Sequence, residues 1–249
     1  MKILTLDIEM APNIVHRWQL YGNDTTGLNQ LMQPQEMMCA AYKWYDEDEI
    51  HFMVTRKYIN DPVSAESEAH LWEALDRADA VITYNGKKFD IPRINTELIE
   101  SGWGPYSPFA HIDLYQTTRK VFGFPSNKLD YVAGRLLDSH KVTHSGHDLW
   151  VACMMKDPEA WALMEEYNKQ DVVLTEQLYT KLRPWIPGHP NVLLYDENPG
   201  QLSCPVCGGR IHRRGERQLA TGIYERYQCT ECFAWSKKVK RLDGATVRQ

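Results

Sequence analysis

The chain has no apolar run approaching the roughly 20 residues that a membrane-spanning helix needs. A membrane partner is not expected. No basic stretch followed by an apolar core opens it, so a secretion signal is not expected either, and a reducing, cytoplasmic setting is. Cysteine is scarce in the body of the chain. Of six cysteines, Cys39 and Cys153 stand alone among apolar neighbours, as Cys-Ala-Ala and Val-Ala-Cys-Met-Met, and read as small buried hydrophobes. There is no overall excess of positive charge, since the net charge is −5. What is present is ordinary: 43% hydrophobic and 24% charged residues over 249 positions. That is enough for one large domain with its own core and a second, small one.

The net charge hides an asymmetry. Residues 201–249 carry ten basic and four acidic side chains, +6, which leaves −11 on the rest. An acidic body with a basic tail suggests carboxylates gathered for a cation in one part and a grip on a polyanion in the other; a solvated charged surface is the plainer reading. The tail also holds Cys204, Cys207, Cys229 and Cys232 as two Cys-x-x-Cys pairs, 21 residues apart. Four thiolates suit one tetrahedral structural Zn²⁺, and in a tail with few large apolar residues the metal would supply much of the folding energy. Two disulfides are the alternative. Tyr224, Tyr227, Phe233 and Trp235 interleave with Arg226, Lys237, Lys238, Lys240 and Arg241, a pattern suited to single-stranded nucleic acid. A protein-docking module is the competing reading.

Within the body, Leu4-Thr5-Leu6-Asp7-Ile8-Glu9 reads as a strand over 2–9 whose two carboxylates share a face. Paired carboxylates on a buried strand repel and lose hydration unless a cation lies between them; a strand ending in an exposed turn would leave them in water. Residues 10–36 form a long connection with Trp18 and Tyr21, placed either to cover the acidic site and stack bases or to anchor the loop. Strands are expected over 37–44 and 49–55 with an acidic turn between them, then a helix opened by Ser64 or Ser67, then a short buried strand over 80–84. That order predicts an α/β domain with a mixed sheet. The last strand runs into Asn85-Gly-Lys-Lys-Phe89-Asp90, which places Asp90 at a strand end, as a third carboxylate facing Asp7 and Glu9, as a helix N-cap, or as both. A strand follows at 111–114 and a helix to Phe122, with Asp113 read as a local cap or a support for the acidic site; another helix covers 128–137. His140, His144 and His147 sit among loop formers and fit phosphate contact better than metal ligation. The longest helical pattern, 158–185, carries Tyr167 and Asp171 at i and i+4, on the side that also presents Leu174 and Leu178. An inward tyrosine and carboxylate need partners, either each other or a metal with its water. Prolines and glycines over 186–200 mark a linker. The expected division is therefore 1–185, 186–200 and 201–249.

Asp7-Ile-Glu9, Tyr84-Asn85-Gly-Lys-Lys-Phe89-Asp90 and Tyr167-x-x-x-Asp171 together resemble the three motifs of DEDDy 3′→5′ exonucleases, with the middle one closest to the proofreading domain of family B DNA polymerases. Lys128-Leu-Asp-Tyr-Val-Ala resembles a segment of the same domains, and the tail resembles a zinc ribbon. The chain is too short for polymerase domains and looks like the stand-alone enzymes of this type, phage-encoded ones included. The resemblance implies a ribonuclease H-like fold over about 1–183 and hydrolysis with two Mg²⁺ or Mn²⁺. It assigns Asp7 to both ions, Glu9 and Asp171 to the one that activates water, Asp90 to the other, and Tyr167 to orienting that water. Asn85 and Phe89 would position the terminal nucleotide. Met10 would touch its sugar or base, or pack in the core. The implied substrate is DNA, single-stranded or at 3′ ends, with RNA trimming, structure-specific endonuclease action and a non-catalytic adaptor as alternatives. Replication or repair proteins are conceivable partners.

Overall fold

The computed structural model describes residues 1–19, 26–55, 58, 63–143, 145–195 and 202–239, with residues 63–67 described by backbone alone. Tyr21, His144, Lys240 and Arg241 lie outside the described residues.

β1 (Ile3–Met10) is the centre of a five-stranded mixed sheet. β4 (Met37–Trp44) pairs with it antiparallel on one side, and β5 (Ile50–Val54) pairs with β4. β6 (Ala80–Thr83) pairs with β1 in parallel on the other, and β7 (Ala110–Asp113) pairs with β6, again in parallel. The alternation of β1 sorts its side chains. Leu4, Leu6, Ile8 and Met10 share a core with residues of α1 (Val63–Arg77) and α2 (Asp90–Glu100). On the opposite face Ile3 joins the core of α4 (Leu129–Leu137) and α6 (Pro158–Leu182). The mixed sheet between helical layers agrees with the sequence expectation.

Several local expectations need correction. α1 is described from Val63, which places Ser64 and Ser67 within the helix rather than before it. The 10–36 connection contains a small hairpin, β2 (Ile14–Val15) with β3 (Leu31–Gln33), and Trp18 is 97% exposed, so it anchors nothing. α6 stops at Leu182 rather than 185; Pro184 converts the next three residues into a 3₁₀ turn. Asp157 caps the start of α6 by accepting from the Glu159 amide at 2.9 Å, with Pro158 as its first residue. A helix unforeseen from the sequence, α5 (His147–Met154), buries Leu149 and Cys153. Cys39 and Cys153 are both fully buried, as expected of small hydrophobes. Asp113 does cap α3 (Leu114–Val121).

The tail is a three-stranded antiparallel sheet, with β9 (Gly222–Cys229) between β8 (Ile211–Leu219) and β10 (Trp235–Lys237). It touches the linker where the Val192 amide donates to the Pro205 carbonyl at 2.9 Å.

Candidate active site

The face of β1 that holds Asp7 and Glu9 lies under α6. Their antiparallel neighbours are Ala41 and Cys39, small residues that leave room above the strand. Asp171 completes the group: one oxygen from each of Asp7, Glu9 and Asp171 lies within 4.8 Å of the others. All three accept from donors, Asp171 from the Lys141 ammonium. The Asn168 side-chain amide donates to Asp7 at 2.7 Å, and the Trp150 indole donates to Glu9 at 3.2 Å. Tyr167 is one turn of α6 before Asp171, and its ring meets Trp150 edge-on at 5.9 Å.

Lys141 projects into this group. Its ammonium donates to the Tyr167 hydroxyl at 2.8 Å and forms an ion pair with Asp171. Burial works against its charge, but Asp171 and Tyr167 outweigh it and hold the pKa above the ordinary lysine value. Burial, then Asp171 and Glu9, raises the Tyr167 phenol, which stays neutral at pH 7.

Asp90 stands beside the triad rather than inside it. β6 pairs with β1 only as far as Thr5, and beyond that point the Asp90 carboxylate accepts from the Ile8 amide at 3.2 Å. It is the first residue of α2, and Phe89 holds the cap position. The turn before it is strained and pinned. Asn85 has φ +74°, and its amide and that of Lys87 donate to Asp113 at 3.0 and 3.3 Å. At Gly86 a Cβ would come within 2.4–2.6 Å of Thr83, so no other residue fits without displacement. Phe89 is half-buried against the core. Met10 is only 8% exposed and packs in the core on the other face of β1, the second of its two expected roles. His140 pairs with Asp130 at 3.3 Å on the surface, and no histidine among the described residues joins the carboxylates.

Burial raises Asp7 well above the usual carboxylate range, and repulsion from Asp171, Asp90 and Glu9 adds to it. Burial and Asp171 push Glu9 up to about 8. Burial pushes Asp90 up to about 7. Without a cation, burial and mutual repulsion thus favour the protonated forms of these groups. A cluster of hard oxygen donors under mutual repulsion fits a divalent cation such as Mg²⁺ or Mn²⁺.

The family model described as RNase H superfamily matches residues 24–183. The chain belongs to the RNase H superfamily. Membership points to nuclease or nucleotidyl-transfer chemistry on nucleic acid, in a fold that typically uses divalent metals. The match spans Asp90, Tyr167 and Asp171 and starts after β1. No curated protein matches the chain.

Beside the RNase H-like domain, the tail gathers its four cysteines, whose sulfurs all lie within 4.8 Å of one another. Cys204–Cys232 and Cys207–Cys229 are each separated by 3.6 Å. That is far beyond a disulfide bond of about 2.05 Å and close to the edge of a zinc–thiolate tetrahedron, about 3.8 Å for Zn–S bonds of about 2.3 Å. The Val206 and Glu231 amides each donate to a cysteine sulfur at 3.4 Å. The arrangement is compatible with a zinc ribbon.

No sequence pattern singles out Asn168, Lys141 or Trp150 as a metal-site residue. Asn168 has a positional signal only, since it lies three residues before Asp171 on one helix face. Lys141 comes from a loop between α4 and α5, and Trp150 from a helix whose pattern was not visible.

Proposed function

We propose that the chain is a 3′→5′ exonuclease of the DEDDy type, hydrolysing single-stranded or frayed DNA from its 3′ end with two divalent ions. The observation that carries this reading is the convergence of Asp7, Glu9 and Asp171 oxygens beside the Tyr167 hydroxyl. Asp7, Glu9 and Asp171 would hold the ions, with Asp90 adjacent. Bound there, Mg²⁺ or Mn²⁺ supplies an acidified water and charge stabilisation for the attacking and leaving oxygens.

The chain's own residues supply the rest. Asn168 and Trp150 orient the Asp7 and Glu9 carboxylates. Tyr167, as a neutral phenol, orients the attacking water by hydrogen bonding, because a group with so high a pKa is a poor base at pH 7. Lys141, in exchanging Asp171 for the substrate, would offset charge on the phosphate. The pinned Asn85–Phe89 turn would seat the terminal nucleotide by hydrogen bonding and packing. We assign residues 1–185 to the catalytic domain, 186–200 to the linker, and 201–249 to a ribbon that binds one Zn²⁺ and assists in holding nucleic acid.

The test is a gel with 5′-labelled single-stranded DNA, duplex DNA, RNA and a 3′-blocked strand, in Mg²⁺ or Mn²⁺. A ladder descending from the 3′ end of DNA is expected. Internal cuts on the blocked strand, preference for RNA, or no cleavage at all would each overturn the reading.

A further inference from the structure

Three cavities run in series where the body meets the ribbon. The first, about 260 Å³, lies beside the Asn85–Phe89 turn and carries Lys87 and Lys120. The second, about 770 Å³, shares Ile186 and Gly188 with the first and adds Arg217, Arg226 and Lys237. The third, about 730 Å³, shares Pro184 and Trp235 with the second and ends at Trp185 and Phe233. The shared residues string the three into one trough, from Lys87 of the Asn85–Phe89 turn to Phe233 beside Cys232. Lys87, Lys120, Lys181, Arg183, Arg217, Arg226 and Lys237 line the three cavities against two acids, Asp113 and Glu231. The basic side chains therefore set its sign.

The aromatic residues are displayed rather than packed. Phe233 is 66% exposed and Trp235 51%, with the Arg226 guanidinium 4.6 Å over the Trp235 ring. Phe233 also has φ +64°. It directly follows the second cysteine of its knuckle, the position that Gly208 fills at φ +76° in the first knuckle. Glycine takes that conformation at no steric cost, whereas a bulky side chain there is strained. Strain of this kind persists where a side chain is needed for something other than the fold, and so exposed a ring contributes little packing.

We propose that this trough binds single-stranded DNA, with bases stacked on Phe233 and Trp235 and phosphates drawn to Lys87, Arg217 and Lys237. The proposal rests on the exonuclease reading above for its orientation, with the 3′ end at the carboxylates and the upstream strand in the trough. Stacking on exposed rings needs unpaired bases, and the positive lining complements a phosphate backbone.

The test is fluorescence anisotropy of the full zinc-loaded chain with a 5′-fluorescein oligothymidylate of about 20 nucleotides, without added divalent ion. Phe233→Gly relieves the strained backbone, so a purely structural role predicts equal or higher thermal stability and unchanged affinity. The trough predicts equal or higher stability, full zinc content and about tenfold weaker binding, within the range of one lost base stack. Trp235→Ala should weaken binding similarly, and Lys237→Ala should lower the salt slope by about 0.7. Unchanged affinity in both aromatic variants, or equal weakening toward a blunt duplex, would overturn the proposal. Hydrolysis by the wild-type chain is scored separately. An inactive chain whose aromatic variants lose affinity keeps the trough and discards the exonuclease; an active chain whose variants bind normally does the reverse.

Discussion

The Lys141 ammonium donates to the Tyr167 hydroxyl at 2.8 Å while pairing with Asp171, so a loop cation sits inside the carboxylate cluster. Lys141→Met should leave buried acids uncompensated and destabilise the chain by about 2 kcal/mol without divalent ion, below the range for a fully buried pair because Lys141 is a quarter exposed. Added Mg²⁺ should recover most of that loss. Thermal melts with and without Mg²⁺ check it; an equal deficit in both would remove Lys141 from the electrostatics of the site.

Asp7→Asn removes a half-buried carboxylate whose pKa is raised by burial and by Asp171, Asp90 and Glu9. Hydrolysis should fall by about a thousandfold or more, on the scale of losing a group that stabilises transition-state charge. The metal-free fold should be no less stable. Single-turnover rates and melting curves measure both, and wild-type turnover would defeat the assignment.

Tyr167→Phe deletes one hydroxyl and keeps the ring against Trp150. Turnover should slow by about ten- to a hundredfold, with Mn²⁺ affinity nearly unchanged when titrated by electron paramagnetic resonance. An undiminished rate would exclude the phenol from the reaction.

The raised carboxylates also fix a pH dependence. Glu9 at about 8 and Asp90 at about 7 bind protons more tightly in the folded chain than at the ordinary value of about 4 in the unfolded one. Their stabilising contribution is complete below about pH 4 and is lost as pH rises toward 8. Without added divalent ion, the melting temperature should fall between pH 6 and 8, and Mg²⁺ should flatten the fall. A rise over that interval without divalent ion would contradict the electrostatic account.

The pieces legible in the sequence were those governed by short-range periodicity. The two-residue repeat put Asp7 and Glu9 on one face of β1, and the i, i+4 relation put Tyr167 and Asp171 on one face of α6. Asn168 obeys the same rule, but an amide carries no obvious metal chemistry to single it out. α5 escaped because Leu149 through Met154 is apolar nearly throughout, so no polar stripe reports its period. Lys141 escaped for a different reason: a loop side chain is aimed by tertiary packing, and nothing in Ser-His-Lys-Val-Thr encodes its direction. The hairpin at Ile14 and Leu31 spans too few residues to show alternation. The cap formed by Asp113 is local and so legible, but its second task, bracing the Asn85 turn from β7, depends on a neighbouring strand.

α6 carries Asp171 in its middle and delivers Lys181 to the third cavity near its end. Ten residues of continuous helix separate them, a rise of roughly 15 Å along the axis. A single stiff rod thus sets the spacing between the carboxylate cluster and one wall of the third cavity. The linker is held to a tighter rule, because Ile186 and Gly188 line two of the cavities and a change of length there would move their walls.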